Sequence, residues 1–122
     1  MTEKEAFDTK WDVQLRKGTL ELVILAALKG RTMYGLELLN QLRQFETIQI
    51  TEGTLYPLLD RLKRDELVLA NWQQEGETRP RKYYSLTDIG LTKLQLMQDR
   101  WNKAVFDINH LLDHPGPAPI KP

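Results

Sequence analysis

Arg79, Arg81 and Lys82 crowd one short stretch of the sequence, and a second basic group, Arg61, Lys63 and Arg64, closes a leucine-rich segment. Cations at this spacing suit phosphate oxygens, which they hold through charge-assisted hydrogen bonds that position a nucleic-acid backbone. Asp60, Asp65 and Glu66 dilute the second group, and the whole chain sets 17 basic residues against 17 acidic ones. A chain of zero net charge does not coat nucleic acid by bulk attraction, so the fold must gather positive charge on one side if DNA is the partner. Thr54 and Tyr56 stand just before the second group; a tyrosine hydroxyl suits a phosphate oxygen, and threonine can meet a phosphate or a base edge. Other chemistry is thinly represented. His110 and His114 are four residues apart, a spacing at which two imidazoles can share a metal ion, yet only Asp107 and Asp113 stand near as further ligands. Neither a metal nor a cofactor is expected on so short a ligand set. With no cysteine, no nucleophile beside a base, no phosphate-cradling glycine loop and no rigid carboxylate pair, enzymatic activity is not expected either.

These side chains need elements to carry them. In GTLYPLLDRL, Leu55, Leu58, Leu59 and Leu62 recur at helical spacing, which marks one face as buried. The opposite side presents Gly53, Pro57, Asp60, Arg61 and Arg64, flanked by Thr54 and Tyr56. Pro57 removes one backbone hydrogen bond and crowds the carbonyl of Gly53, the residue type that adds least bulk there. Upstream, Leu15 to Lys29 reads as a buried central helix and MYGLELLNQLRQF as a second helix, with Gly35 in its first turn allowing another backbone to come close. Thr51 is placed to cap the third helix. After Glu66, the segments from Leu67 to Trp72 and from Lys82 to Leu86 are rich in branched and aromatic residues and flank a turn built on Gly76 and Pro80, a β-hairpin with a basic-sided tip. From Thr87 the chain is helical again. There Leu94, Met97, Trp101, Ala104, Ile108 and Leu111 are spaced 3, 4, 3, 4, 3, an apolar seam best covered by a second copy of the chain.

The expected fold is mainly α with a small β-hairpin: a winged helix-turn-helix followed by a long C-terminal dimerisation helix. Residues 1–14 are assigned to an N-terminal arm, 15–86 to the winged domain, 87–113 to the C-terminal helix, and 114–122, rich in proline, to a disordered tail. No apolar run approaches the roughly 20 residues of a membrane span, MTEKEAFDTK does not read as a signal peptide, and the lack of cysteine fits a reducing cytoplasm.

GTLYPLLDRL, with MYGLELL before it and PRKYYSLTDIG after it, closely resembles the PadR family of bacterial transcriptional regulators. The single helix after the wing is similar to the short PadR subclass, which includes a lactococcal multidrug-binding repressor. The resemblance covers about Leu15 to Leu112. It implies a homodimer on a pseudo-palindromic double-stranded operator, repressing a neighbouring gene until a small planar or aromatic compound, or another signal, releases it. Matched residue by residue, it implies DNA contacts at Gly53, Thr54 and Tyr56 and a phosphate site at Tyr34 and Gly35, where the second helix begins. Arg61, Arg64, Arg81 and Lys82 complete the DNA-binding set. Each has a plainer reading: Tyr56 as edge packing, Tyr34 as a core tyrosine, the arginines as solvated surface, and Arg81 with Lys82 as a solubilising hairpin edge. Many relatives place glycine directly before the wing's basic run, whereas here Glu77 and Thr78 intervene. Tyr83 and Tyr84 point to opposite faces of a strand, one of them toward the core.

Trp101 is the ligand candidate. On a two-fold dimer helix it can face its own copy, and two indoles around a gap can sandwich a flat aromatic molecule, with Leu15, Met97, Ala104, Val105 and Ile108 as lining. In the alternative the indole fills the dimer core. A winged-helix module that docks on a protein and never reads DNA is the competing function, one that zero net charge favours.

Overall fold

The computed structural model describes residues 3–120; residues 1, 2, 121 and 122, the ends of the expected arm and tail, lie outside the described residues. The elements run α1 (Glu3–Leu28), β1 (Met33–Tyr34), α2 (Gly35–Leu42), α3 (Glu52–Arg64), β2 (Val68–Gln73), β3 (Arg81–Leu86) and α4 (Asp88–Asp113). Leu55, Leu59 and Leu62 of α3 meet Leu38, Leu39 and Leu42 of α2 and Ile24, Leu25 and Leu28 of α1, all but fully buried in one core. The three helices carry leucine or isoleucine at helical spacing, and that shared apolar face assembles them.

Two expectations are corrected. The helix expected from Leu15 extends back to Glu3 without a break, so residues 3–14 continue α1. Met33 and Tyr34 do not open α2; they form a short strand that pairs with Tyr84 and Tyr83, so the hairpin becomes a three-stranded antiparallel sheet in the order β1-β3-β2. β2 and β3 pair from Val68 opposite Leu86 to Gln73 opposite Arg81. Tyr84 points into the core and Tyr83 stays half-buried, as strand alternation requires.

Two capping arrangements set the corners. Thr51 occupies the N-cap of α3, but its side chain accepts no backbone N–H; its hydroxyl instead donates to that of Thr54 across 3.3 Å. Thr87 does cap α4, accepting the Gly90 N–H at 2.9 Å while its hydroxyl donates to the Glu66 carbonyl at 2.6 Å. At the end of α3, the Leu67 N–H reaches back to Leu62 and the Glu66 N–H to Lys63, a Schellman closure in which Glu66 sits at φ 64°. Glycine normally fills that left-handed position, and a Cβ there is strained. Glu66→Gly is accordingly expected to stabilise the fold by up to about 1 kcal/mol, read as a thermal midpoint a few degrees higher.

α4 packs against α1 and β3. Leu94 is buried and Met97 half-buried, so the head of the apolar seam belongs to this chain's own core. Beyond them the seam emerges: Trp101 is 43% exposed, Ile108 56% and Leu111 73%. Residues 114–120 follow without helix or strand. Among the described residues, no helix is long and apolar enough to cross a membrane.

Candidate nucleic-acid interface

α3 forms a wall shared by two surface clefts, and cations line both. The first, of about 590 Å³, gathers Tyr34, Gly35 and Leu36 from β1 and α2, Tyr56 and Asp60 from α3, and Trp72, Arg79, Arg81, Lys82 and Tyr84 from the hairpin. The fold therefore brings together five of the residues singled out from sequence, Tyr34, Gly35, Tyr56, Arg81 and Lys82. Strand pairing explains how: β1 joins β3, which lays the start of α2 beside the basic run. The Arg81 guanidinium stacks over the Tyr34 ring at 4.4 Å, and Tyr34 meets Tyr83 edge-on at 5.6 Å. This stacking restrains the arginine while leaving its N–H groups free to donate.

Gly35 does admit a close neighbour, though not the backbone expected. The Tyr56 ring lies on it, so that a Cβ at residue 35 would overlap the ring and fall 2.6 Å from the hydroxyl. Tyr56 is thus both packed and 36% exposed, combining its two readings. Tyr34 occupies the N-cap of α2 without a side-chain cap, which leaves the first N–H groups of that helix without a side-chain acceptor in the same cleft. Burial, followed by the nearby Glu52 carboxylate, raises the pKa of Tyr56; burial, then Asp60 and Tyr56, raises that of Tyr84. A raised tyrosine pKa means that the fold prefers the neutral phenol. The preference is fully present below pH 10 and is lost as pH rises through the folded-state values, so stability to denaturant is expected to decline above pH 10. Urea titrations at pH 9 and pH 11 check this.

The second cleft, of about 520 Å³, lies on the other flank of α3, between it, α1 and α4. Its lining includes Thr54, Pro57, Arg61 and Arg64 of α3 with Lys17 and Glu21 of α1. The structure thus divides the DNA-binding set, with Thr54, Arg61 and Arg64 away from the wing. Arg61 is also engaged: it pairs with Glu21 at 3.6 Å, and Glu21 in turn holds Lys93 at 3.0 Å, tying α3 to α1 and α4. Each cleft holds three cations against one carboxylate, Arg79, Arg81 and Lys82 with Asp60 on one side, Lys17, Arg61 and Arg64 with Glu21 on the other. A neutral chain therefore carries two positive banks with α3 between them.

Gly53 lies on the exposed face of α3, where a Cβ would meet only the Thr51 hydroxyl, at 3.7 Å. Nothing within the chain requires glycine there, so the open space faces outward. Sequence reading missed Lys17 and Trp72. Trp72, 69% exposed, faces Lys82 across the hairpin register, and only that pairing connects it to the cleft.

Trp101 stands between two apolar grooves, one of about 400 Å³ lined by Gly18, Leu22, Leu96 and Met97, the other of about 340 Å³ lined by Leu15, Leu22, Val23 and Ile48. Met97 lines the first of these and Leu15 the second. Ala104, Val105 and Ile108 line neither groove; they follow Trp101 further along α4. His110 and His114 stack with ring centroids 4.4 Å apart, and no group of three or more metal-ligating side chains occurs among the described residues.

The transcriptional regulator PadR-like family matches residues 24–96, more than half of the chain. A PadR family transcriptional regulator from Eggerthella lenta DSM 2243 superposes with a TM-score of 0.81 at 32% identity, covering 92% of this chain and 97% of that one. A PadR-like transcriptional regulator from Bacillus cereus strain ATCC 14579 gives 0.76 at 32% identity, covering 84% and 99%. Uncharacterized protein X of Lysinibacillus sphaericus is 30% identical over 96 residues, 75% of this chain and 88% of that protein. The matched segment contains the last five residues of α1, all of α2, α3 and the sheet, and the start of α4, and with it the wing-side cleft; the chain belongs to the PadR-like family of transcriptional regulators, which are DNA-binding proteins and not enzymes.

Proposed function

We propose that the chain is a homodimeric repressor that lays α3 in the major groove of double-stranded operator DNA, with its two cationic banks against the phosphates on either side. The observation that carries this reading is the pair of banks flanking α3 in a chain of zero net charge. Gly53 and Pro57 keep the exposed face of the helix slim, Thr54, Tyr56, Arg64, Arg81 and Lys82 supply backbone contacts, and Tyr34 with Gly35 offers a phosphate the uncapped start of α2. The competing module that docks on protein alone is not favoured, because a surface evolved for protein need not align its cations along both flanks of one helix. Repression follows from occupancy, since a bound dimer excludes polymerase. DNase footprinting of the DNA upstream of the gene tests the reading: two protected half-sites are expected, centred about 10 bp or a multiple apart. Absence of any protected region there would count against it.

The exposed apolar run of α4 supports the dimer. Phe106, Ile108, Leu111 and Leu112 are each more than half exposed in the single chain, more apolar surface than one helix leaves to water without a partner. Ile108→Lys with Leu111→Lys is expected to leave the helix content intact and halve the mass in sedimentation, because both side chains are more than half exposed in the single chain. Trp101 and its grooves support a small planar aromatic effector, which would act by favouring a dimer spacing that mismatches the half-sites. The cytoplasm, where the operator lies, is the site of action.

A further inference from the structure

We infer that Asp60 is a base-reading residue, a carboxylate that selects an exocyclic amino group in the operator's major groove. The inference rests on the DNA-binding reading above and deepens it. Turned away from the buried leucines of α3 are Gly53, Pro57, Asp60 and Arg64, spaced 4, 3 and 4, all exposed. Along that ridge the first two have no side-chain hydrogen-bonding group, so Asp60 and Arg64 alone can read bases from it by hydrogen bonds. Asp60 is also out of keeping with its surroundings. It shares the wing-side cleft with Arg79, Arg81 and Lys82, yet among the described residues it forms an ion pair with none of them. After burial, its carboxylate helps to raise the pKa of the Tyr84 phenol.

An ionised carboxylate only accepts hydrogen bonds, and against phosphate it repels. On the ridge of a helix that enters a groove it therefore weakens binding to every sequence except one that presents a donor. In the major groove those donors are the N4 amino group of cytosine and the N6 amino group of adenine. Asp60 thus acts by penalising wrong sequences, and the cations on both flanks supply the attraction it subtracts.

Selection from a DNA pool with randomised half-sites, run with the parent, Asp60→Ala and Asp60→Asn, tests this. The parent is expected to enrich cytosine or adenine at one position of each half-site. Asp60→Ala is expected to lose that preference, with discrimination there falling about tenfold or more, and to bind random-sequence DNA more tightly than the parent, whereas Asp60→Asn, whose amide oxygen still accepts from an amino group, is expected to retain a preference and turn it toward adenine. Base analogues then separate the two sources. A 2-pyrimidinone in place of cytosine, or purine in place of adenine, removes only the amino group, and whichever weakens the parent but not Asp60→Ala identifies the base. Asp60 is exposed, so matched thermal midpoints are expected and exclude misfolding as the cause. Unchanged selection at every position in Asp60→Ala overturns the inference while leaving the DNA-binding reading standing. Failure of the parent to bind any pool overturns both.

Discussion

Replacing Gly90 by alanine is expected to lower the thermal unfolding midpoint by about 10 °C or more, a loss of about 3 kcal/mol. Gly90 lies in the first turn of α4, where a Cβ would overlap the Leu67 carbonyl oxygen and stand 2.9 Å from its carbon. That carbonyl cannot easily retreat, because it accepts the Thr87 N–H at 3.1 Å and belongs to a residue whose own N–H closes the end of α3 on Leu62. The Thr87 hydroxyl ties the same corner to Glu66. The methyl therefore meets bonded backbone rather than a side chain that can swing away, and either α4 shifts off the sheet or the corner opens. Gly116→Ala, where a Cβ meets nothing within 4 Å, serves as the control and is expected to leave the midpoint unchanged. Equal midpoints for parent and Gly90→Ala would show that α4 is not seated on this corner.

The second large effect concerns binding. Exchanging Arg79, Arg81 and Lys82 together for alanine is expected to weaken binding to operator DNA by about a hundredfold or more near physiological salt. Each phosphate contact contributes about 0.9 to the slope of log affinity against log salt, so three contacts on each chain of a dimer lower its magnitude by up to about 5. All three residues belong to one cleft and, among the described residues, form no ion pair, so the loss of attraction is not offset by freeing a carboxylate partner. Arg61→Ala should do less. Its guanidinium is already shared with Glu21, and that carboxylate keeps Lys93 as a partner when Arg61 is removed. If the triple variant keeps the parent's slope, the wing does not touch phosphate.

Much of this was legible in the sequence because local patterns carried it. Leu55, Leu59 and Leu62 announced the buried face of α3 by spacing alone, and the threonine before TDIG's helix announced the cap of α4. Features made by contacts distant in sequence were not legible. β1 is two residues long, too short to show any period, and it exists because β3 lies beside it. The start of α1 lacks a continuous apolar stripe, so its helix was not anticipated before Leu15. Tyr56 rests on Gly35, 21 positions away, and Glu21 captures Arg61 across 40; neither pairing leaves a mark in a single sequence. The same holds for charge. Neutral composition concealed two positive banks, since sorting by side is the work of the fold, and Asp60, which in sequence merely dilutes a basic run, is the exposed carboxylate of the wing-side bank.

Fluorescence anisotropy of the unmodified protein against labelled DNA from upstream of its own gene, titrated at several salt concentrations, tests the central claim most directly. Two cationic banks on each chain of a dimer predict tight binding whose log affinity falls with log salt at a slope of about −4 or steeper. Absence of binding at low salt, or an affinity indifferent to salt, would contradict the claim that these banks meet phosphate.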